Sequence, residues 1–171
     1  MFFDPFDWYW QVAGRSDYWS SKAAAYVEAL PEGAHLTTIN TEEELSDVLR
    51  PYGLRGPFIS NVDVNAERDR RIVAGKTING IAVTGREEDA RNLTNLALGA
   101  QLRIAAGDTT TLTTFRDGNN ADHDLTPPEM LELWQQSAAY VSALYAASWT
   151  IKALDPIPAD FDAESRWPAI S

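Results

Sequence analysis

Apolar residues recur at two different spacings along this chain. Near the start Phe6, Trp8 and Trp10 alternate with Asp7, Tyr9 and Gln11. That period of two belongs to a strand, whose successive side chains point to opposite faces. "DWYWQVA" and "DYWSSKAAAYVEA" flank the turn-rich "GRSD" and read as a hairpin. The alanines at 23–25 are poor strand formers and weaken its second arm. "PEG" at 31–33 reads as a turn and "AHLTTI" as a further strand. "NTEEELSDVLRPYG" predicts a short helix. Asn40 or Thr41 caps it, Glu42 to Glu44 lie at its positive end, Leu45, Val48 and Leu49 form its buried face, and Pro51 with Gly53 stops it.

After "GLRGPF" at 53–58, which breaks the pattern, the spacing turns helical. "NVDVNAERDRRIVAG" predicts a helix with a Glu67–Arg71 pair and a thin apolar face of Val64, Ile72 and Val73, with Ala66 beside them. Such a helix is exposed or needs a partner to cover it. Asn79-Gly80 between two β-rich runs predicts a type I′ hairpin. Thr84 and Glu87 have capping-box spacing for a helix from about Arg86 to Ala105, with Leu93, Leu96, Ala97, Ala100 and Ile104 on one face. A second hairpin is expected at 109–116 and 121–125 around "DGNN". Thr126, Pro127 and Glu129 then open the longest helix, to about Ala153, with a stripe of Met130, Trp134, Val141, Leu144 or Tyr145, and Ile151. The expected class is α+β: a short N-terminal strand module over 1–58, then a helix-hairpin-helix-hairpin-helix domain over 59–155 whose two main helices pack with the short hairpins. A Pro-rich extended tail over 156–171 completes the chain.

Composition narrows the functional classes. The 171 residues and 44% apolar content suit one ordinary folded domain, with or without an appendage. The net charge is −11, with 4 basic against 9 acidic groups in residues 1–60 and 10 against 16 in the rest. Acidity spread over both halves speaks against nucleic acid and anionic membrane as partners, because both need a positive surface. The lack of cysteine excludes thiol catalysis, cysteine-ligated zinc and disulfides. No basic segment followed by an apolar run opens the chain, so no signal peptide is expected, and no run approaches the roughly 18 apolar residues of a membrane span.

Candidate chemistry is sparse. His35 and His123 lie in no zinc-protease motif, and no serine sits in a nucleophile elbow. "AGKT" at 74–77 resembles the end of a phosphate loop, but Arg70 stands where its first glycine belongs. In "DGNNADHD", Asp117, Asn119, Asp122 and Asp124 offer oxygens, but Pro128 holds the place of an EF-hand's closing glutamate. A solvated turn is the expected reading. No catalytic residue, cofactor or metal is expected. What stands out is the aromatic content: six Trp, with Trp8, Tyr9, Trp10, Tyr18, Trp19 and Tyr26 in the first 26 residues. Rings this dense serve as core, as sugar-stacking platforms or as interface anchors.

"RRIVAGKTINGIAVTGREEDARNLTNLALGAQ" and "TTLTTFRDGNNADHDLTPPEMLELWQQSAAYVSALYAAS" resemble a domain of unknown function in tailed-phage proteins. That domain sits near the C-terminal end of tail-fibre-associated and tail-assembly proteins. Ile78–Val83, Arg86–Asp89 and the run to Asp117 and Gly118 carry the match; Thr113 to Phe115 depart from it, where a tryptophan is usual. The aromatic start and "EEELSDVLRPYGLRGP" resemble the N-terminal parts of such proteins. The resemblance assigns no catalytic residue. It implies a non-catalytic structural component of a phage tail, found in the virion and in the host cytoplasm during assembly, with other fibre or baseplate proteins as partners and self-association left open. A fibre-assembly chaperone and a carbohydrate-binding module are the alternatives. Phe2, Phe3, Phe6, Trp8, Tyr9, Trp10 and Trp19 are then the expected docking residues, with neither nucleic acid nor membrane as partner.

Overall fold

The computed structural model describes residues 7–169. Expected features at Phe2, Phe3 and Phe6 lie outside them. Helices take 45% of the described residues and strands 18%, arranged as an α+β fold with an N-terminal sheet and C-terminal helices. The chain divides into two compact units, one within Met1–Asn61 and Pro156–Ala159, the other within Val62–Asp155 and Asp160–Ser171.

The first unit is a four-stranded sheet with one helix. Strands β1 (Trp8–Val12), β2 (Tyr18–Ser20), β3 (Ala25–Val27) and β4 (His35–Ile39) lie in the order β3-β2-β1-β4. β1 and β2 form the expected antiparallel hairpin, with Trp10 opposite Trp19. β4 returns parallel to β1, with Tyr9 beside Leu36. The alanines do not prevent β3: Ala24 takes φ 48° in the turn and leaves Tyr26 and Val27 to pair. Helix α1 (Glu42–Leu49) starts at Thr41, whose hydroxyl accepts from the Glu44 N–H at 3.0 Å. It covers the tryptophan face of the sheet. Trp10, Val12, Trp19, Leu45 and Leu49 form the core, with Trp8, Tyr26 and Ile39 packed partly against it. Trp10 Nε1 donates to Ser21 Oγ at 2.9 Å, which satisfies the one polar atom of a buried ring.

The second unit runs helix, hairpin, helix, hairpin, helix: α2 (Asn61–Ala74), β5 (Lys76–Ile78) with β6 (Ile81–Val83), α3 (Glu87–Ala105), β7 (Thr113–Arg116) with β8 (Asp122–Leu125), and α4 (Pro127–Lys152). Asn79 and Gly80 both have positive φ, 51° and 81°, as the type I′ turn requires. α3 packs along α4. Their contact joins Leu93, Ala100, Met130 and Leu133 to Ile78, Ile81, Val83, Phe115 and Leu125 from the two hairpins in one cluster. The capping box opening α4 forms as expected, with the Thr126 N–H donating to Glu129 Oε2 at 2.8 Å. Among the described residues no helix is long and apolar enough to cross a membrane.

Two local expectations change. The Thr84–Glu87 capping box does not form: α3 begins at Glu87 with Arg86 as N-cap and no side-chain cap, while the Thr84 hydroxyl donates to Asp89. Gly85 is pressed so closely on α2 that a Cβ there would lie 2.1 Å from the Ile72 carbonyl oxygen. Packing against α2 thus takes the place of the cap. On α4 the buried set includes Leu133, Tyr140 and Ser148, while Trp134 and Val141 are half-buried and Tyr145 is exposed. The helix is covered from more than one side, which a single stripe does not describe. Leu144 is fully buried and Leu102, on the outer side of α3, is 66% exposed. Replacing Leu144 by alanine is expected to cost about 2–5 kcal/mol by chemical denaturation, against under about 0.5 kcal/mol for the same change at Leu102.

Candidate functional site

Among the described residues, two places offer surface for a ligand or partner: the edge of a sheet and a cleft. In the first unit it is the edge of the sheet. Alternation puts Trp8, Trp10 and Val12 toward α1 and Tyr9 and Gln11 on the opposite face, beside Leu36 and Thr38. Of the expected docking residues, Trp10 and Trp19 are buried at 4% and 6% exposure. Trp8 and Tyr9 are half-buried, and the Trp8 ring lies 4.8 Å from that of His35. β4 is the terminal strand, and among the described residues nothing pairs with its outer side. The Ile39 carbonyl accepts from Ala13 N–H at 2.9 Å on the β1 side. By the two-residue period, the N–H and C=O groups of Leu36 and Thr38 therefore point outward. The strand carries no Lys, Asp, Glu or Pro, the residues that commonly blunt an edge.

In the second unit it is a half-open cleft of about 250 Å³ between the end of α2, the β5–β6 hairpin, α4 and a short 3-10 helix at Glu164–Arg166. Arg70, Arg71, Lys76, Thr77, Tyr140 and Glu164 contribute its polar lining. Arg71 is only 3% exposed. Its Nε donates to Glu67 Oε1 at 2.6 Å, its two terminal nitrogens donate to Glu164 at 2.9 Å each, and one of them also donates to the Asp162 carbonyl at 2.9 Å. The ring of Trp167 lies 5.2 Å below the guanidinium. Burial works against the charge of Arg71, and the hydrogen bonds to Glu164 and Glu67 outweigh it. Arg70 forms a second fork on Glu67, at 2.7 Å twice. Gly75 makes the bend from α2 into β5 at φ +74°, and a Cβ there would lie 1.9 Å from the Val83 carbonyl oxygen. "AGKT" is thus the corner of this cleft, closing a helix where a phosphate loop would open one.

Residues 60–165 match the sequence family described as a domain of unknown function, DUF4376. The chain belongs to this family. No curated protein and no solved structure matches it. The matched span takes in every residue that lines the cleft, from Arg70 to Glu164.

Within the DUF4376 domain, the polar "DGNNADHD" run is a clasp between the two hairpins. Asp117 is 7% exposed. Its carboxylate accepts from the Asn119 and Ala121 N–H groups at 2.8 and 2.9 Å, from the Ala82 N–H on β6 at 3.3 Å, and pairs with His123 Nε2 at 3.1 Å. Gly118 N–H returns a bond to the Ala82 carbonyl at 2.8 Å. Asp122 is engaged by Arg116 at 2.7 and 2.8 Å, and Asp124 accepts from Thr114 at 2.7 Å. The candidate calcium oxygens of Asp117, Asp122 and Asp124 therefore bind protein donors, and no group of three His, Cys, Asp or Glu among the described residues could hold a metal. Sequence reading marked the turn; the burial of Asp117 under β6 had no local signal.

The Ala121 N–H, joined by His123 and the Ala82 and Asn119 N–H groups, holds the Asp117 carboxyl at about 2, below its ordinary 3.8. A depressed carboxylate stabilises the fold above its unfolded value and loses that contribution as pH falls toward the folded value. Asp117→Asn is expected to lower the melting temperature at pH 7, with the gap to the parent protein narrowing as pH falls from about 4 to 2. Thermal unfolding across that range measures it, and a gap that stays constant would show that the charge of Asp117 is not what holds the clasp.

Proposed function

We propose that this chain is a non-catalytic structural component of a phage tail, associated with the fibre or baseplate, that docks onto another tail protein through the β4 edge and the aromatic residues beside it. Its location is then the virion tail, reached after assembly in the host cytoplasm. The observation that carries this reading is that, among the described residues, nothing pairs with the outer side of β4, with Leu36 41% exposed and the half-buried Trp8 and Tyr9 alongside. An uncovered edge accepts a strand from a partner: the backbone supplies affinity, and alternate side chains supply specificity. Trp10 and Trp19 support the sheet from its core, and the docking contacts narrow to Trp8, Tyr9 and Leu36. The resemblance of the run from Arg70 to Gly118 to tail-associated proteins supplies the phage context.

Thr38→Pro tests the edge directly. Its N–H points away from β1, so proline removes an outward donor and leaves the β1–β4 ladder intact. The variant is expected to keep its circular dichroism spectrum and to be missing from purified phage particles analysed by mass spectrometry. The parent chain is expected there in stoichiometric amount. Parent chain that binds fibre but is missing from particles would favour an assembly chaperone, and incorporation of Thr38→Pro at the parental level would remove the edge from the mechanism.

A further inference from the structure

The cleft of the second unit is independent of the sheet edge, and its charges do not balance. Three cations line it. Arg70 and Arg71 share Glu67, and Arg71 also holds Glu164. Lys76 is half-buried, and among the described residues no carboxylate pairs with it; its ammonium lies 5.7 Å from the centroid of the Tyr140 ring. Tyr140 is 7% exposed, and among the described residues its buried hydroxyl has no hydrogen-bond partner. Buried hydroxyls nearly always have one. Burial raises the phenol above its ordinary range, so the hydroxyl stays protonated and available as a donor. In a chain of net charge −11, the lining of one cleft thus holds an ammonium that no described carboxylate pairs with and a tyrosine whose hydroxyl, closed to water, has an unused donor.

We propose that this cleft binds a small carboxylate. Lys76 Nζ supplies the charge and the Tyr140 hydroxyl a hydrogen bond, while the apolar body of the ligand lies against Ala74, Ala82 and Val83. A single negative charge fits better than a phosphate dianion for two reasons. The helix end that reaches the cleft is the C-terminus of α2, which carries partial negative charge. Glu164 also stands in the wall. The volume of about 250 Å³ suits a ligand smaller than most bound cofactors.

The test titrates the full chain, labelled with nitrogen-15, with sodium benzoate at constant ionic strength, and with sodium phosphate as the comparison. Benzoate is expected to shift the amides of Lys76, Thr77 and Tyr140 saturably, and phosphate is not. Lys76→Gln and Tyr140→Phe are each expected to weaken benzoate binding about tenfold, the scale of one lost hydrogen bond to a charged group. Tyr140→Phe removes a hydroxyl that has no partner among the described residues, so its melting temperature without benzoate is expected to be no lower than the parent's. That separates loss of binding from loss of fold. Four results would each overturn the proposal: no saturable shifts in the parent, unchanged affinity in either variant, tighter saturation by phosphate than by benzoate, or a lower melting temperature for Tyr140→Phe alone.

Discussion

A guanidinium withdrawn from water organises the second unit. α2 is poor in apolar residues, and only Val64 and Arg71 are buried along it. Dehydrating a charge costs several kcal/mol unless its donors are filled. Arg71 fills them with Glu67 from its own helix and with Glu164 and the Asp162 carbonyl from the C-terminal segment. The same requirement that keeps Arg71 charged therefore holds that segment on α2. It sets Phe161 and Trp167 as buried side chains, with Trp167 Nε1 donating to the Phe161 carbonyl at 2.8 Å. It also places Glu164 in the cleft wall, where Lys76 is the lining cation that no carboxylate among the described residues pairs with.

The first unit is held by rings as well as by ions. Two buried tryptophans give it bulk. One indole N–H finds Ser21, and Tyr26 stands edge-on to Trp19 while its hydroxyl donates to Glu42 at 2.6 Å. Arg15 lies 3.7 Å over the Tyr26 ring and binds Asp17 and Glu42, so the hairpin turn is tied to the start of α1. All of this is invested on one face of the sheet. The opposite face and the β4 edge carry Tyr9, Leu36 and Thr38, and that asymmetry is why the docking surface proposed above is the edge rather than the tryptophans themselves.

Much of this architecture was legible from local signals, because they act over a few residues. Asn79-Gly80, Thr126-Pro127 with Glu129, Thr41 before three glutamates, and the alternation through Trp8 and Trp10 all make their contacts within one turn or one strand. The Thr84–Glu87 pair looked equally local and failed. Gly85 had to lie against Ile72, and no spacing rule records a neighbour that comes from an earlier helix. The seven rings singled out at the N-terminus were similarly uniform as sequence. Of those described, α1 enclosed Trp10 and Trp19 and left Trp8 and Tyr9 half-covered.

The sequence by itself determined the kinds and order of the elements, the α+β class, and the absence of cysteine chemistry, since these follow from composition, period and turn residues. Only the tertiary structure decided that Arg71 is buried, that Asp117 clasps two hairpins, that Lys76 and Tyr140 share a cleft, and that β4 lies at an edge. The reason is distance along the chain. Arg71 meets Glu164 across 93 residues and Asp117 meets Ala82 across 35, and the energy of such contacts depends on burial and geometry that neither residue's neighbours encode.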